Sequence, residues 1–509
     1  MGGGGLDRVT ALRSVEARRD LFRQHVLRSA DFALRYSRER QHDDEALNRQ
    51  RENILQAMDA CHRYADADQI VVDIALTLHG HMERQGYWET WEGYLERAVE
   101  AGRRLGDPRA KGTLLNDLGE IHRGRGRWRS ALALHEEALG IFDCLEDEAG
   151  IAESHQHLGC LWWLRGRWER ASTHFEIALE ITEGADKDGA DLASLYRDIG
   201  TLCSYKGAWK RALGYLREGA RIAGQLGDTC ARVRACSSMG YAHWRRGEWT
   251  KARSVLQWAI ETAEERGYET RLAIACNNLA AVLLSQGEWK RALAYLKRDL
   301  SIVEPIGAVH LAAHAYDDVG EAYRQARRWE EAWRELERSA EIKQRLDDLS
   351  GLAATYHHMG LLCTDMGEHE RAVAYHRRAL ALREQLRGGQ DVAEMLVSLA
   401  WAYYDLGGGG SDAQDGSNGG RGPAGDEMDT FVERGRTLAS RLDRRDLLTR
   451  LLWLEAEVAL TEGRAGEAHE IYERALEISR PVGPWRDNDR LIALHRETEA
   501  RLEILKDRG

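Results

Sequence analysis

The chain has 509 residues, a formal net charge of −12 and 31 % charged side chains. A single compact core of that length would be unusual, and the acidic balance argues against a general binder of nucleic-acid backbones, leaving room only for a local basic patch. No apolar run approaches the ~18 residues of a membrane span, and the Gly-rich start, Met1 to Gly5, lacks the apolar heart of a signal peptide. These features predict a cytoplasmic protein that does not engage membranes. Five prolines and no sustained strand-type alternation predict long exposed helices.

Residues 6 to about 41 read as one long helix with Leu12, Val15, Leu21, Val26 and Leu34 on its apolar side. His42-Asp43-Asp44 is a break and a cap, and a second helix runs to about Ala65. Residues 1–69 thus form an irregular helical cap.

From there one line of tryptophans sets the beat. Trp88, Trp128, Trp168, Trp209, Trp249, Trp289 and Trp329 follow one another at intervals of 40, 40, 41, 40, 40 and 40 residues. Each stands two residues after a glycine, except that Arg327 takes the glycine's place before Trp329. Alanine follows three residues after most of them, as in Ala131, Ala171, Ala212 and Ala252. A fixed period of this size marks a solenoid of stacked supersecondary units. In the unit from Leu115 to Leu139, Leu115, Leu118 and His122 share one helical face, Gly126 breaks the helix, and Ala131, Leu134 and Ala138 mark a second helix. Gly119 is expected to face Ala131 where the two helices approach. The tryptophans themselves are expected to be core.

This pattern resembles the tetratricopeptide repeat, in the 40-residue form of kinesin light chains and the LGN/Pins adaptors. The resemblance implies an all-α, right-handed superhelical solenoid of about ten helix-turn-helix units. Turns at 86, 126, 166, 207, 247, 287, 327, 367, 407 and 463 count ten. The solenoid spans 70–406. The Gly/Ser/Asp-rich stretch 407–426 reads as an inserted loop that cannot bury enough to order itself. The final units occupy 427–480, and 481–509 supplies a closing helix whose Leu491, Leu494, Leu502 and Leu505 cover the last core. Residues 46–107 are also similar to the sensor arm of STAND-type signalling ATPases, but no G-x-x-x-x-G-K-[ST] loop is present.

Catalytic constellations are absent from the sequence pattern. His310 and His314 stand at i, i+4 without the glutamate of H-E-x-x-H, so no metal and no cofactor is expected. The eight cysteines form no C-x-x-C pair and read as small packing residues. What remains is a stripe on the first helix of each unit, offset from the packing face. It carries Asn116 and Arg123, then Gln156 and Trp163, then Arg197. The next units supply Arg234, Tyr241, Trp244 and Arg245, then Asn277, then Asp317, Glu321 and Arg324, then His357. Aromatic and arginine side chains supply most binding hot spots, and amides pair with peptide backbone. In the resembled family asparagines on this wall hold the ligand's main chain. Asn116 and Asn277 match by slot, but Gln156, Arg197 and Ser237 interrupt that ladder. The expected function is therefore a non-enzymatic scaffold that takes a peptide or protein partner in its concave groove and does not bind nucleic acid. The alternative is the ligand-sensing arm of a split STAND-like signalling system.

Overall fold

The computed structural model describes residues 4–41, 43–184, 189–386, 389–407, 423–481 and 488–508. Two helices come first, α1 (Gly4–Glu39) and α2 (Asp44–Cys61), followed by a 3-10 turn at Ala65–Ala67. Ten helix pairs follow. They are α3 (Asp68–Arg84) with α4 (Trp88–Leu105), α5 (Pro108–Gly124) with α6 (Trp128–Leu145), and α7 (Glu148–Leu164) with α8 (Trp168–Gly184). Next come α9 (Gly189–Tyr205) with α10 (Trp209–Gln225), α11 (Thr229–Arg246) with α12 (Trp249–Arg266), and α13 (Glu269–Ser285) with α14 (Trp289–Val303). The last are α15 (Val309–Gln325) with α16 (Trp329–Leu346), α17 (Leu349–Asp365) with α18 (His369–Gln385), α19 (Gly389–Leu406) with α20 (Pro423–Arg441), and α21 (Arg445–Thr461) with α22 (Ala465–Ser479). Helix α23 (Asp489–Arg508) closes the chain, and no strand occurs among the described residues. The Gly/Ser/Asp-rich stretch lies outside the described residues from 408 to 422.

The beat has a local cause. Seven second helices begin on the repeated tryptophan, and the turn before each places a residue in the left-handed region. Gly126 and Gly207 do so at φ 75° and 77°, and Arg327 does so at 57° although it carries a side chain. A second series lies half a period away. Gly106, Glu146, Gly227, Gly267, Gly307, Asp347 and Asp443 all have positive φ where second helices end. Aspartates then cap several first helices: Asp107 accepts from the Ala110 amide, Asp228 from Ala231 and Asp348 from Gly351.

Within a pair, the close approach reaches both the expected alanine and the residue one turn beyond it: Gly200 lies against the Ala212 carbonyl and Gly320 against that of Ala332. Gly119 faces the ring of His135, one turn beyond Ala131. The same slot pairs Gly200 with Leu216, Gly320 with Leu336 and Gly360 with His376, where an added Cβ would come to 2.7, 2.6 and 2.5 Å. Side chains lean toward the helix N-terminus, so the residue that covers a given spot lies further along the helix.

The tryptophan line is core only at its start. Trp88, Trp128 and Trp168 are buried, while Trp209, Trp249, Trp289 and Trp329 are half-buried. Trp88 lies against Gly124 and Trp168 against Tyr205. The corresponding slot of later units holds Arg245, Ser285, Gln325 and Asp365.

The chain divides into two compact units, Met1–Leu161 and Trp162–Gly509. In the second, each first helix touches the first helix of the next pair, α9 with α11 and on through α13, α15, α17, α19 and α21. First helices therefore form the inner layer of this unit. The unit also folds back on itself. Arg165 reaches Asp347 at 2.7 Å across 182 residues. Arg245 reaches Asp391 at 2.6 Å across 146 residues. Helix α23 covers the last core through Leu494, Leu502 and Leu505, as its pattern predicts. Its start also docks on the α11–α12 turn. Asn488 donates to the Arg246 carbonyl at 2.8 Å, and the Thr250 amide donates to Asp489 at 2.7 Å. No described helix is long and apolar enough to cross a membrane.

Candidate binding surface

The second unit carries a run of aromatic rings on the inner layer. Trp163 at the end of α7 meets Tyr205 of α9 edge-on at 5.4 Å. Tyr205 stacks on Tyr241 of α11 at 5.0 Å, and Tyr241 meets Trp244 at 5.5 Å. All four rings are half-buried. Trp244 is tied down further, because its indole N–H donates to Ser285 at 2.7 Å. Tyr205 was not singled out by its sequence slot, yet it links the two tryptophans. Its position in line with Gly124 and Leu164 marks it as a covering residue, and that hides its second contact.

The other predicted residues fall into three environments. Asn116, Arg197 and Asp317 are buried and spent within the chain, which corrects their reading as wall residues. Asn116 donates to Ser154 at 3.0 Å and accepts from His135 at 3.0 Å, so its amide closes a core network. Arg197 forks onto its neighbour Asp198 at 3.0 and 2.6 Å. Asp317 lies 3.3 Å from both Lys343 and His358. Burial opposes ionisation of Asp317, but those two cations outweigh it and hold the carboxyl well below its usual range. Burial and the neighbouring Asp317 push Asp318 up to about 7.

A second group is half-buried and paired. Arg123 forks onto Glu120 at 2.7 and 2.5 Å. Arg324 forks onto Glu321 at 2.7 and 2.8 Å and also meets Asp365. Asn277 donates to Asp318 at 3.2 Å, and His357 sits 3.3 Å from His376. Arg245 is committed to Asp391. The third group, Gln156, Arg234, Trp163 and Tyr241, is half-buried on first helices.

Among the described residues, two groups have ligand-type side chains close together. Glu120, His135 and His157 bring one ligand atom each within 4.8 Å of the others. The two imidazoles stack face to face at 11°, so their in-plane lone pairs do not converge on one ion. Arg123 also occupies both oxygens of Glu120. Burial disfavours the charged ring of His157, but Glu120 and Glu153 outweigh it and lift the imidazole to about 10. The second group, Glu92, Glu96 and His122, has Glu92 held by Arg125 and Arg127.

No curated protein matches the sequence. Among solved structures, the chain is similar to the Rap conjugation gene regulator of plasmid pLS20 in complex with the Phr* peptide, with 13 % identity over 71 % of this chain and 95 % of that one and a TM-score of 0.48. It is similar to the apo form of the quorum sensor NprR from B. thuringiensis, with 15 % identity over 71 % and 99 % and a TM-score of 0.47. The APC/C hetero-tetramer Cut9–Hcn1 gives 12 % identity over 91 % and 96 % and a TM-score of 0.46. The family model of the tetratricopeptide repeat matches residues 72–143, 270–345 and 351–408. Those three stretches are tetratricopeptide repeats, and helix pairs of the same build continue between and beyond them.

Proposed function

We propose that the protein is a non-enzymatic scaffold whose inner layer takes a peptide or protein partner. The aromatic run Trp163–Tyr205–Tyr241–Trp244 carries this reading. These half-buried rings on successive first helices pack on one another and still present apolar edges that a partner's side chain would bury. Arg234, on the first helix that carries Tyr241, offers hydrogen bonds to a peptide backbone. The test is a paired substitution in the full chain. Trp163→Ala should weaken capture of a partner by ~2 kcal/mol or more while the fold stays intact. Trp168→Ala removes a buried ring, should destabilise the fold by ~3–5 kcal/mol, and should affect capture only through unfolding. If Trp163→Ala lowers the melting temperature as far as Trp168→Ala does, the ring is core and the proposed surface is wrong.

A further inference from the structure

We propose that the inner face of α21 around Arg450 is a phosphate site, built to take the dianion of a phosphate monoester or of inorganic phosphate. The site belongs to the same inner layer as the proposed partner surface but uses other residues.

The cluster joins five guanidinium groups from five helices or turns. Arg245 of α11 and Arg383 of α18 hold the two oxygens of Asp391 at 2.6 and 2.9 Å. Arg444, just before α21, forks onto Asp446 at 2.8 and 2.7 Å, and Arg490 of α23 reaches the same carboxylate at 3.2 Å. Each of these four has a counter-ion. Arg450 does not: among the described residues none bonds its guanidinium, although Arg444, Arg490, Asp446 and Glu394 all lie near enough to act on it through space. Burial draws its pKa down; Glu394 and Asp446 oppose that through space, and Arg490 and Arg444 add to it. The nearest rings offer no anion. Burial and the charge of Arg450 lower His376 to about 4, so it stays neutral. Asp348 feels Lys343 more strongly than it feels Arg383.

The charge count decides the ligand class. Five arginines face three carboxylates, Asp391, Glu394 and Asp446, which leaves a surplus of two positive charges in a partly enclosed place. A lone carboxylate supplies one negative charge, whereas a phosphate monoester near neutral pH supplies close to two and three acceptor oxygens. Guanidinium forks match those oxygens in planar pairs. Arg450 is half-buried and Arg245 and Arg490 are partly exposed, so the group can be reached from solvent.

The experiment is calorimetric titration of the full-length protein at fixed ionic strength. The probes are inorganic phosphate, acetate, and a short phosphoserine peptide beside its unphosphorylated form. Phosphate should bind saturably at one site, more tightly than acetate. Arg450→Gln should weaken phosphate by roughly tenfold or more, and Arg450→Lys by less, because it keeps the charge and loses the fork. Without phosphate, Arg450→Gln should melt close to the wild type, since it removes through-space contacts of both signs and no hydrogen bond. Phosphate binding no tighter than acetate, or unchanged binding in Arg450→Gln, overturns the site. The phosphopeptide arm separates the sources: binding of the peptide as well as free phosphate assigns a phosphorylated partner, and binding of free phosphate alone assigns a small anion. Because free phosphate needs no partner, the site can stand while Trp163→Ala refutes the proposed partner surface, and the reverse also holds.

Discussion

The two compact units follow the same repeat and use it differently. In the first, hydrogen bonds between side chains of the described residues stay within about one period, the longest among them being Arg23 with Asp66, 43 residues apart. In the second, Arg165–Asp347, Arg245–Asp391 and Asn488–Arg246 span 182, 146 and 242 residues. A ladder of nearest-neighbour contacts has stability that is roughly a sum of local terms. A ladder that meets itself again couples pairs far apart in sequence. The same local code thus yields independent units in one region and a closed assembly in the other.

The largest effect that separates the two regions comes from one core slot. Leu95 of α4 and Leu256 of α12 occupy equivalent positions and are fully buried. Each leucine-to-alanine change should cost ~2–5 kcal/mol. Hydrogen exchange should quicken only in α3 to α5 for Leu95→Ala, but also in α23 for Leu256→Ala. Exchange in α23 that ignores Leu256→Ala would break the contrast.

Next in size is the buried cation of α16. Lys343 is 1 % exposed, donates to Thr355 at 2.9 Å and faces Asp317 at 3.3 Å. Lys343→Met should destabilise by ~3 kcal/mol in chemical denaturation, because Asp317 loses a counter-ion inside the chain. A neutral result would mean that water reaches Asp317.

A pH scan comes third. Asp318, raised to about 7 from 3.8, binds its proton more tightly in the folded chain. Its contribution is present in full below pH ~4 and is lost as pH rises toward 7. Asp318→Asn should flatten that part of the melting profile and raise stability at pH 7 by ~1–3 kcal/mol. A profile unchanged by the substitution would show that Asp318 is well solvated.

The smallest effects test the two ends of the contrast. Asn488→Ala removes the bond to the Arg246 carbonyl and the cap on the Leu491 amide, and should cost ~1–2 kcal/mol. Arg327→Gly relieves a side chain at φ 57° and should add about 0.5–1 kcal/mol, a purely local gain measurable by thermal melting.

Much of the first half of this picture was legible in the sequence. The 40-residue spacing marked the helix pairs and the turns between them, with Arg327 as the exception to glycine. The 20-residue half-beat was harder to see, because Glu146, Asp347 and Asp443 stand where other units have glycine. Gly119 could be read as a close approach, but not its partner His135, since side-chain lean shifts the contact by a turn. Asn116, Arg197 and Asp317 were misplaced because one helical stripe can turn inward at one unit and outward at the next. The closure was not legible at all. It depends on superhelix pitch summed over six repeats, and no pairwise spacing records that sum.

The closure is also the feature most directly open to measurement. Thr250 and Asp489 touch through two hydrogen bonds, at 2.7 and 3.2 Å, across 239 residues. In the full chain carrying Thr250→Cys and Asp489→Cys, mild oxidation should link the two positions. The product should run faster on a non-reducing gel and return to the wild-type position on reduction. The same double variant staying unlinked under oxidation, with its helix content intact, would contradict a second unit that folds back onto its own turn.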